Sequence, residues 1–195
     1  MKRMLSLILA LCMVFTILPA AAATETTEVA SGTCGENLTW VLTEDGTLTI
    51  SGEGEMRDFY LDGPELLPVT PWNSSNVKKL VIEEGVTSIG FYAFQKHYAL
   101  EVAELPTTLL TIGPEAFLGS GIRDISIPES VTSIGWSAFL DCDNMTSIQI
   151  PDGVGWLSVH TFCGCDNLKT VTLGASVGGF YDIVGYDCIV DQSHN

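Results

Sequence analysis

Basic residues are scarce in this sequence: its 195 residues include eight Lys and Arg against 24 Asp and Glu. Two of the eight, Lys2 and Arg3, lie in the first 23 residues, which contain no acidic residue, so the remainder carries a net charge of −18. Proteins that bind nucleic acid or anionic lipid need Lys and Arg to neutralise phosphates. The composition therefore argues against both partners and is compatible with solubility outside the cell.

The sequence also lacks a second apolar run long enough to cross a membrane, which requires about 20 apolar residues. The run from Met4 to Leu18 is short for a span, follows two basic residues and precedes the small residues Ala20–Ala23. This is the layout of a secretory signal peptide, and we interpret Cys12 as part of it. We expect residues 1–23 to be removed and the mature protein to be secreted, or associated with the cell surface, without membrane insertion.

From residue 77 onward the chain repeats itself. Four similar segments begin at Val77, Leu100, Ile122 and Met145, at steps of 23, 22 and 23 residues, and a degenerate fifth copy begins at Leu168. Periods of about 20 to 29 residues are typical of leucine-rich solenoids. We therefore assign residues 77–195 to about five stacked repeats.

Each repeat opens with apolar residues in a pattern typical of a strand. In the third copy Ile125 and Ile127 share one face because side chains alternate along a strand, and Pro128 ends the strand because it has no amide to donate. A small residue followed by Phe, as in Ala138–Phe139, comes later in the copy. One copy cannot bury these residues, so we predict stacked copies with one short parallel strand each. Pro114 follows Gly113, where a short helical turn is expected.

The pattern IPxxVTSIGxxAFxxCxxL resembles the BspA-like leucine-rich repeats of bacterial surface proteins. This resemblance implies a right-handed leucine-rich-repeat solenoid, of α/β class but β-rich. The segment SGTCGENLTWVLTEDGTLTISGEGEM, with a later PW, resembles the N-terminal piece often found before such repeats. Within it Leu38, Trp40 and Leu42 alternate, EDG forms a turn, and Leu48 and Ile50 alternate back. We predict an antiparallel β-hairpin in residues 24–76 that caps the solenoid.

Five cysteines follow the signal segment, and an odd number leaves at least one thiol unpaired or paired with another molecule. Cys142, Cys165 and Cys188 recur at intervals of 23 residues in one position of the repeat, as core residues do. Stacked neighbours such as Cys142 and Cys165 are close enough for a disulfide, and buried free thiols are the equal alternative. The other two cysteines lie outside this series. Cys34 precedes the repeats, and Cys163 occupies a repeat position at which the other copies have residues of different character.

The motif HTFCGCDNL concentrates His160, Cys163 and Cys165 within six positions. Zinc sites usually place two residues between paired cysteines, so this spacing is a poor match. A cysteine nucleophile needs an oriented base, and the histidines fall on different repeats. Acidic residues that flank the cysteine position fit no calcium loop. We therefore predict no catalytic, metal or cofactor site; the acidic residues are Asp141, Asp143, Asp166 and Asp187.

The outward positions of the repeat strands form the candidate ligand face, since solenoids commonly bind through such a sheet. This face lacks the aromatic residues that dominate many interfaces. Trp156 lies elsewhere, in a column otherwise made of small residues, and is predicted either to contact a partner or to pack on the adjacent turn. The face comprises one column, Lys79, Val102, Asp124, Ser147 and Thr170, and a second column, Val81, Glu104, Ser126, Gln149 and Thr172.

By resemblance, the function is binding without catalysis: protein–protein interaction, or adhesion to a protein or glycan on a host or another cell. The alternative is a structural or scaffolding module of the bacterial envelope with no host ligand. Neither the ligand nor the oligomeric state follows from the sequence.

Overall fold

The computed structural model describes residues 26–62, 67–68, 70–72, 76–157 and 160–178. The predicted signal segment, Asp187 and Cys188 lie outside these ranges. The strands within them are β1 (Glu28–Thr33), β2 (Leu38–Thr43), β3 (Thr47–Gly52), β4 (Gly54–Glu55), β5 (Leu61–Asp62), β6 (Leu67–Pro68), β7 (Lys79–Ile82), β8 (Val86–Ile89), β9 (Val102–Glu104), β10 (Thr111–Ile112), β11 (Asp124–Ile125), β12 (Ser133–Ile134), β13 (Ser147–Gln149) and β14 (Thr170–Thr172).

The predicted antiparallel hairpin is confirmed. Strands β2 and β3 pair with Trp40 opposite Ile50, and their alternating apolar residues are buried. The turn between them contains Gly46 at φ 86°, while the Asp45 carboxylate accepts a hydrogen bond from the Thr47 amide at 3.0 Å. The structure adds β1, which pairs with β2 on the outer side.

The hairpin continues directly into the repeats. Strand β3 pairs in parallel with β7, so the first sheet has the order β1-β2-β3-β7-β9-β11. The ladder then stops, and β13 pairs with β14 in a separate sheet. The predicted parallel repeat strands are therefore present, although the structure divides them between β11 and β13.

A second parallel sheet has the order β12-β10-β8-β4. It is built from the segments that follow the first strand of each repeat, such as Val86–Ile89 and Thr111–Ile112. The prediction of one strand per repeat is therefore wrong for the first three copies, which contribute two each. Stacking places each such segment beside its equivalent, and pairing between copies gives even two residues a ladder.

The predicted helical turn after Gly113 is also wrong, and no helix occurs in the described ranges. The fold there is β with turns, and the α part of the predicted class is absent. Two positions in each turn have a left-handed backbone, which interrupts a right-handed helix. The first is occupied by Tyr92, Glu115, Ser137 and His160, and the second by Lys96, Gly119, Asp141 and Gly164, all with φ between 50° and 68°.

The core lies between the two sheets and the turns. One column of buried Phe rings runs along the stack, with centroids 5.3 Å apart for Phe94–Phe117, 5.4 Å for Phe117–Phe139 and 5.8 Å for Phe139–Phe162. Their interplanar angles of 21°, 2° and 12° make them stacked pairs. Like residues thus stack on like, as predicted from the period.

Candidate interaction surfaces

The outer face of the first sheet brings together half of the predicted ligand residues. Lys79 pairs with Val102, and Val102 with Asp124, which makes one column. Val81 pairs with Glu104 in the second column. Their side chains are exposed or half-buried, because the residues between them point into the core.

The other half of the predicted face is separated by the break in the ladder. Ser147 pairs with Thr170 and Gln149 with Thr172 on β13 and β14. Ser126 comes after the last residue of β11 and contributes to the wall of a groove of about 470 Å³ at the break. The predicted face is thus two surfaces rather than one, and the second, with Ser147, Gln149, Thr170 and Thr172, lines this groove together with Ser126.

The hairpin enlarges the first surface. Thr47 lies opposite Lys79 and Thr49 opposite Val81, so both columns extend onto β3. The sequence contained a signal for this, because Thr47 and Thr49 alternate with buried apolar residues. What it lacked was the parallel pairing of β3 with β7, which places cap and repeats in one sheet.

One ion pair crosses the first surface. The Lys79 ammonium lies 2.6 Å from a Glu104 carboxylate oxygen, between neighbouring strands and across the two columns. Both side chains are well exposed, so the pair contributes little to stability. It places two opposite charges side by side on this face.

The outer face of the second sheet forms a larger groove, of about 850 Å³. Its floor is a column of paired residues: Glu55 opposite Ser88, Ser88 opposite Thr111, and Thr111 opposite Ser133. The bridge from Ile134 to Leu157 places Trp156 next in this column. Trp156 is 55% exposed, so much of its side chain is accessible to a partner, which is one of its two predicted roles.

The cysteine position of the repeat is a column of four side chains, of which His97, Ser120 and Cys142 are buried and Cys165 is half-buried. Ser120 and Cys142 lie in contact, with 3.6 Å between Oγ and Sγ, and the Cys142 thiol donates to the Phe117 carbonyl oxygen at 3.2 Å. Burial raises the pKa of the Cys142 thiol well above its usual range. The Cys165 thiol donates to the Phe139 carbonyl oxygen at 3.0 Å. Cys142 and Cys165 are free thiols in this structure and do not form a disulfide with each other.

His97 occupies the same position one repeat before Ser120. It is buried, its Nδ1 lies 3.1 Å from the Gln95 carbonyl oxygen, and burial lowers its pKa to about 4. A neutral imidazole two repeats away from Cys142 does not form a nucleophile–base pair.

Cys163, in contrast to the free thiols of Cys142 and Cys165, is disulfide-bonded.

No group of three or more His, Cys, Asp and Glu side chains converges on a metal position in the described ranges. Burial, together with the charges of Asp166 and Asp141, raises the pKa of Asp143, the direction expected for carboxylates that crowd one another. Within the same ranges, no helix has the length and apolar character required to cross a membrane.

Comparisons with known proteins agree with the repeat architecture. The family model for the BspA type leucine rich repeat region matches residues 71–189 in six copies, one more than the five counted from the sequence. The chain is similar to a leucine-rich repeat protein from Eubacterium ventriosum (24% identity, TM-score 0.59, covering 75% of this chain and 45% of that one). A comparison with curated proteins found no match.

Two further solved structures are similar. A leucine rich cell surface protein from Faecalibacterium prausnitzii has 30% identity and a TM-score of 0.51, over 76% of this chain and 44% of that one. The pneumococcal vaccine antigen PcpA shares the fold, with 20% identity and a TM-score of 0.53, over 71% of this chain and 36% of that one. The chain thus spans less than half the length of each of these three structures.

Proposed function

This chain belongs to the BspA type leucine-rich repeat family, and we propose that it is a secreted or surface-exposed protein that binds a protein ligand through the outer face of the first sheet. Leucine-rich repeat proteins are in general modules for protein interaction. The specific role proposed here is adhesion to a ligand on a host or another cell. It is binding without catalysis.

Support for the proposal comes from the register between β3, β7, β9 and β11. This register aligns outward side chains, five of seven polar, into two columns above a buried apolar core, and the paired backbone beneath them restricts their movement. A rigid face loses little conformational entropy on binding. Lys79, Glu104 and Asp124 give it a charge pattern that a ligand of complementary charge can recognise.

A binding screen tests the proposal. The purified chain is applied to an array of extracellular-matrix proteins, mucins and surface proteins of other cells, and hits are measured by surface plasmon resonance. We expect a repeatable hit that weakens in Lys79→Gln and Asp124→Asn. Asp166→Asn is the matched control for Asp124→Asn, because Asp166 is also exposed but lies in a turn and on none of the strands of this face.

Two results would count against the proposal. One is a hit that is unchanged by the substitutions at Lys79 and Asp124. The other is silence across the array from protein that melts cooperatively. Silence favours the structural or scaffolding role in the bacterial envelope, which co-purification with envelope proteins then tests.

A further inference from the structure

The groove on the second sheet has a pre-formed floor of small residues. The Met56 amide donates to the Ser88 hydroxyl at 3.1 Å, which ties the floor to the N-terminal region. Glycines flank the floor at one end of the strands: a Cβ at Gly90 would collide with the Arg57 backbone of the N-terminal region, and one at Gly135 with the Pro114 backbone of the preceding copy. The floor therefore keeps its shape without a ligand, as binding sites commonly do.

Exposed aromatic residues lie at the C-terminal half of this groove and just beyond its end. Phe91, Trp136 and Trp156 are 37%, 45% and 55% exposed, whereas the outer columns of the first sheet contain no aromatic residue. Phe91 lines the groove, Trp136 directly follows the lining residue Gly135, and Trp156 lies one strand position beyond the lining residue Ser133 in the same column. Tryptophan is among the residues that most often dominate binding energy.

The N-terminal half of the groove is acidic. Its lining contains Glu36, Glu53, Glu55 and Asp58 against one basic residue, Arg57. The Arg57 guanidinium carbon lies 5.3 Å from the centroid of the Phe59 ring, so this cation already has an aromatic partner. A second copy of the chain carries the same excess of acidic residues and is repelled, whereas a cationic segment is attracted.

We propose that this groove is a second interaction surface, which binds an extended, Lys- and Arg-rich segment of a partner protein. The cations of the segment meet the carboxylates at the N-terminal half and the faces of Trp136 and Trp156 at the other, where cation–π contacts form. This surface lies on a different sheet from the proposed ligand face and does not depend on it.

The length of the segment follows from the floor. Five consecutive strand positions, from Glu55 to Trp156, lie about 4.8 Å apart, which gives about 19 Å. A segment that runs across the strands in extended form advances about 3.3 Å per residue, so the groove accommodates about six residues.

Selection from a random-peptide library displayed on phage tests the proposal, with the full purified chain immobilised. We expect enriched peptides with a net positive charge and Lys or Arg at alternating positions. The selected peptides are then synthesised, and their affinity is measured by fluorescence anisotropy. We expect their affinity for Trp156→Ser to be lower than for the wild type by about tenfold or more. Serine is the residue of the same column in two other copies, at Ser88 and Ser133, so this variant is expected to fold.

Two further variants separate charge from packing. The double change Glu53→Gln and Glu55→Gln is expected to weaken binding and to reduce its dependence on salt. Trp156→Phe keeps an aromatic face and is expected to retain most of the affinity. Glu44→Gln, at an exposed position in the turn between β2 and β3 and outside the groove lining, is the control and is expected to leave affinity unchanged.

Several results overturn the proposal. These are no enrichment over empty phage, enriched peptides without net positive charge, or affinity that is unchanged in Trp156→Ser when its melting temperature equals that of the wild type. Binding of a neutral oligosaccharide from a glycan array, lost in Trp156→Ser while no peptide is selected, would instead identify a glycan groove.

Discussion

The Trp72 indole stacks on the Phe94 ring, with 5.6 Å between centroids and an interplanar angle of 18°. Its Nε1 also donates to the Ala93 carbonyl oxygen at 3.1 Å. Trp40 and Phe59 contact the same indole edge-on, at 5.9 Å and 5.2 Å. Trp72 thus occupies the first place in the Phe column and joins the hairpin to the repeats through one aromatic cluster.

Truncation of Trp72 is expected to destabilise the whole chain. Trp72→Ala removes a fully buried indole, and such changes cost about 3 to 5 kcal/mol in free energy of unfolding. Trp72→Phe restores a ring but loses the hydrogen bond to Ala93, so we expect a smaller loss, with about 1 kcal/mol from that bond. Urea unfolding followed by circular dichroism measures both.

Trp156→Ala is the matched control, because exposed substitutions change stability by about 0.5 kcal/mol or less. If Trp72→Ala is no more destabilising than this control, the aromatic cluster does not couple hairpin and repeats.

The place of Trp72 could have been read from the sequence. It precedes Phe94 by 22 residues, which equals a step of the repeat, although the surrounding segment carries little of the repeat pattern. The core columns and the hairpin were predicted because apolar alternation and the position of Phe follow directly from which side chains are buried.

Backbone pairing was harder to predict than burial. Ile125–Ser126–Ile127 and Ile148–Gln149–Ile150 show the same alternation, yet the ladder breaks between these two segments. Side-chain alternation defines the buried face of a strand and carries no information on whether the neighbouring backbone pairs with it. The two-residue strands of the second sheet were missed for the same reason, since their hydrogen bonds all depend on neighbouring copies.

The left-handed turn positions were hidden by their residue types. Tyr92, Glu115 and Ser137 occupy one of them, although glycine is the residue that favours positive φ. In the second position, Gly119 and Gly164 alternate with Lys96 and Asp141, which is a partial signal.

Lys96→Gly is therefore expected to stabilise the chain. A left-handed backbone costs a residue with a Cβ about 1 kcal/mol, and glycine avoids this cost. Gly119→Ala, in the same position of the next copy, should lower the free energy of unfolding by a similar amount. The backbone alone accounts for this loss, because the added Cβ would lie 3.7 Å from the nearest atom, the Lys96 Cγ, and would meet no collision. Differential scanning calorimetry measures both melting temperatures.

Lys96→Ala separates the backbone effect from loss of the lysine side chain. It keeps the left-handed backbone cost, so a melting temperature as high as that of Lys96→Gly would contradict the explanation.

His97 is expected to make stability depend on pH. Burial lowers its pKa in the folded chain to about 4, whereas an unfolded His has a pKa of about 6.5. Between these values the unfolded state binds more protons, so the contribution is complete above pH 6.5 and is lost as pH falls towards 4. The shift corresponds to about 3 kcal/mol.

His97→Ser installs the residue of the next copy, Ser120, and removes the titrating group. We expect the loss of unfolding free energy between neutral pH and pH 4 to be smaller in this variant than in the wild type by a few kcal/mol, roughly. His160→Ser, at an exposed position, is the control. Equal losses in wild type and His97→Ser would show that His97 is not buried as a neutral imidazole.

The cysteines are expected to differ in reactivity according to burial. The thiolate is the form that reacts with N-ethylmaleimide. Burial raises the pKa of the Cys34 thiol to about 11 against the opposing charge of Arg57, and it also raises that of Cys142. We therefore expect both thiols to remain unlabelled in the native chain.

Unfolding without reductant should expose the free thiols of the described part of the chain, and peptide mass spectrometry should find Cys34, Cys142 and Cys165 labelled. Cys163 should label only after reduction, because it is disulfide-bonded. Rapid labelling of native Cys142 would contradict its burial and reopen a reactive role for the cysteine column. Labelling of Cys163 without reductant would contradict the disulfide. Slow labelling of native Cys142, with Cys163 labelled only after reduction, supports a packing role for the cysteine column, as its recurrence in stacked copies indicates.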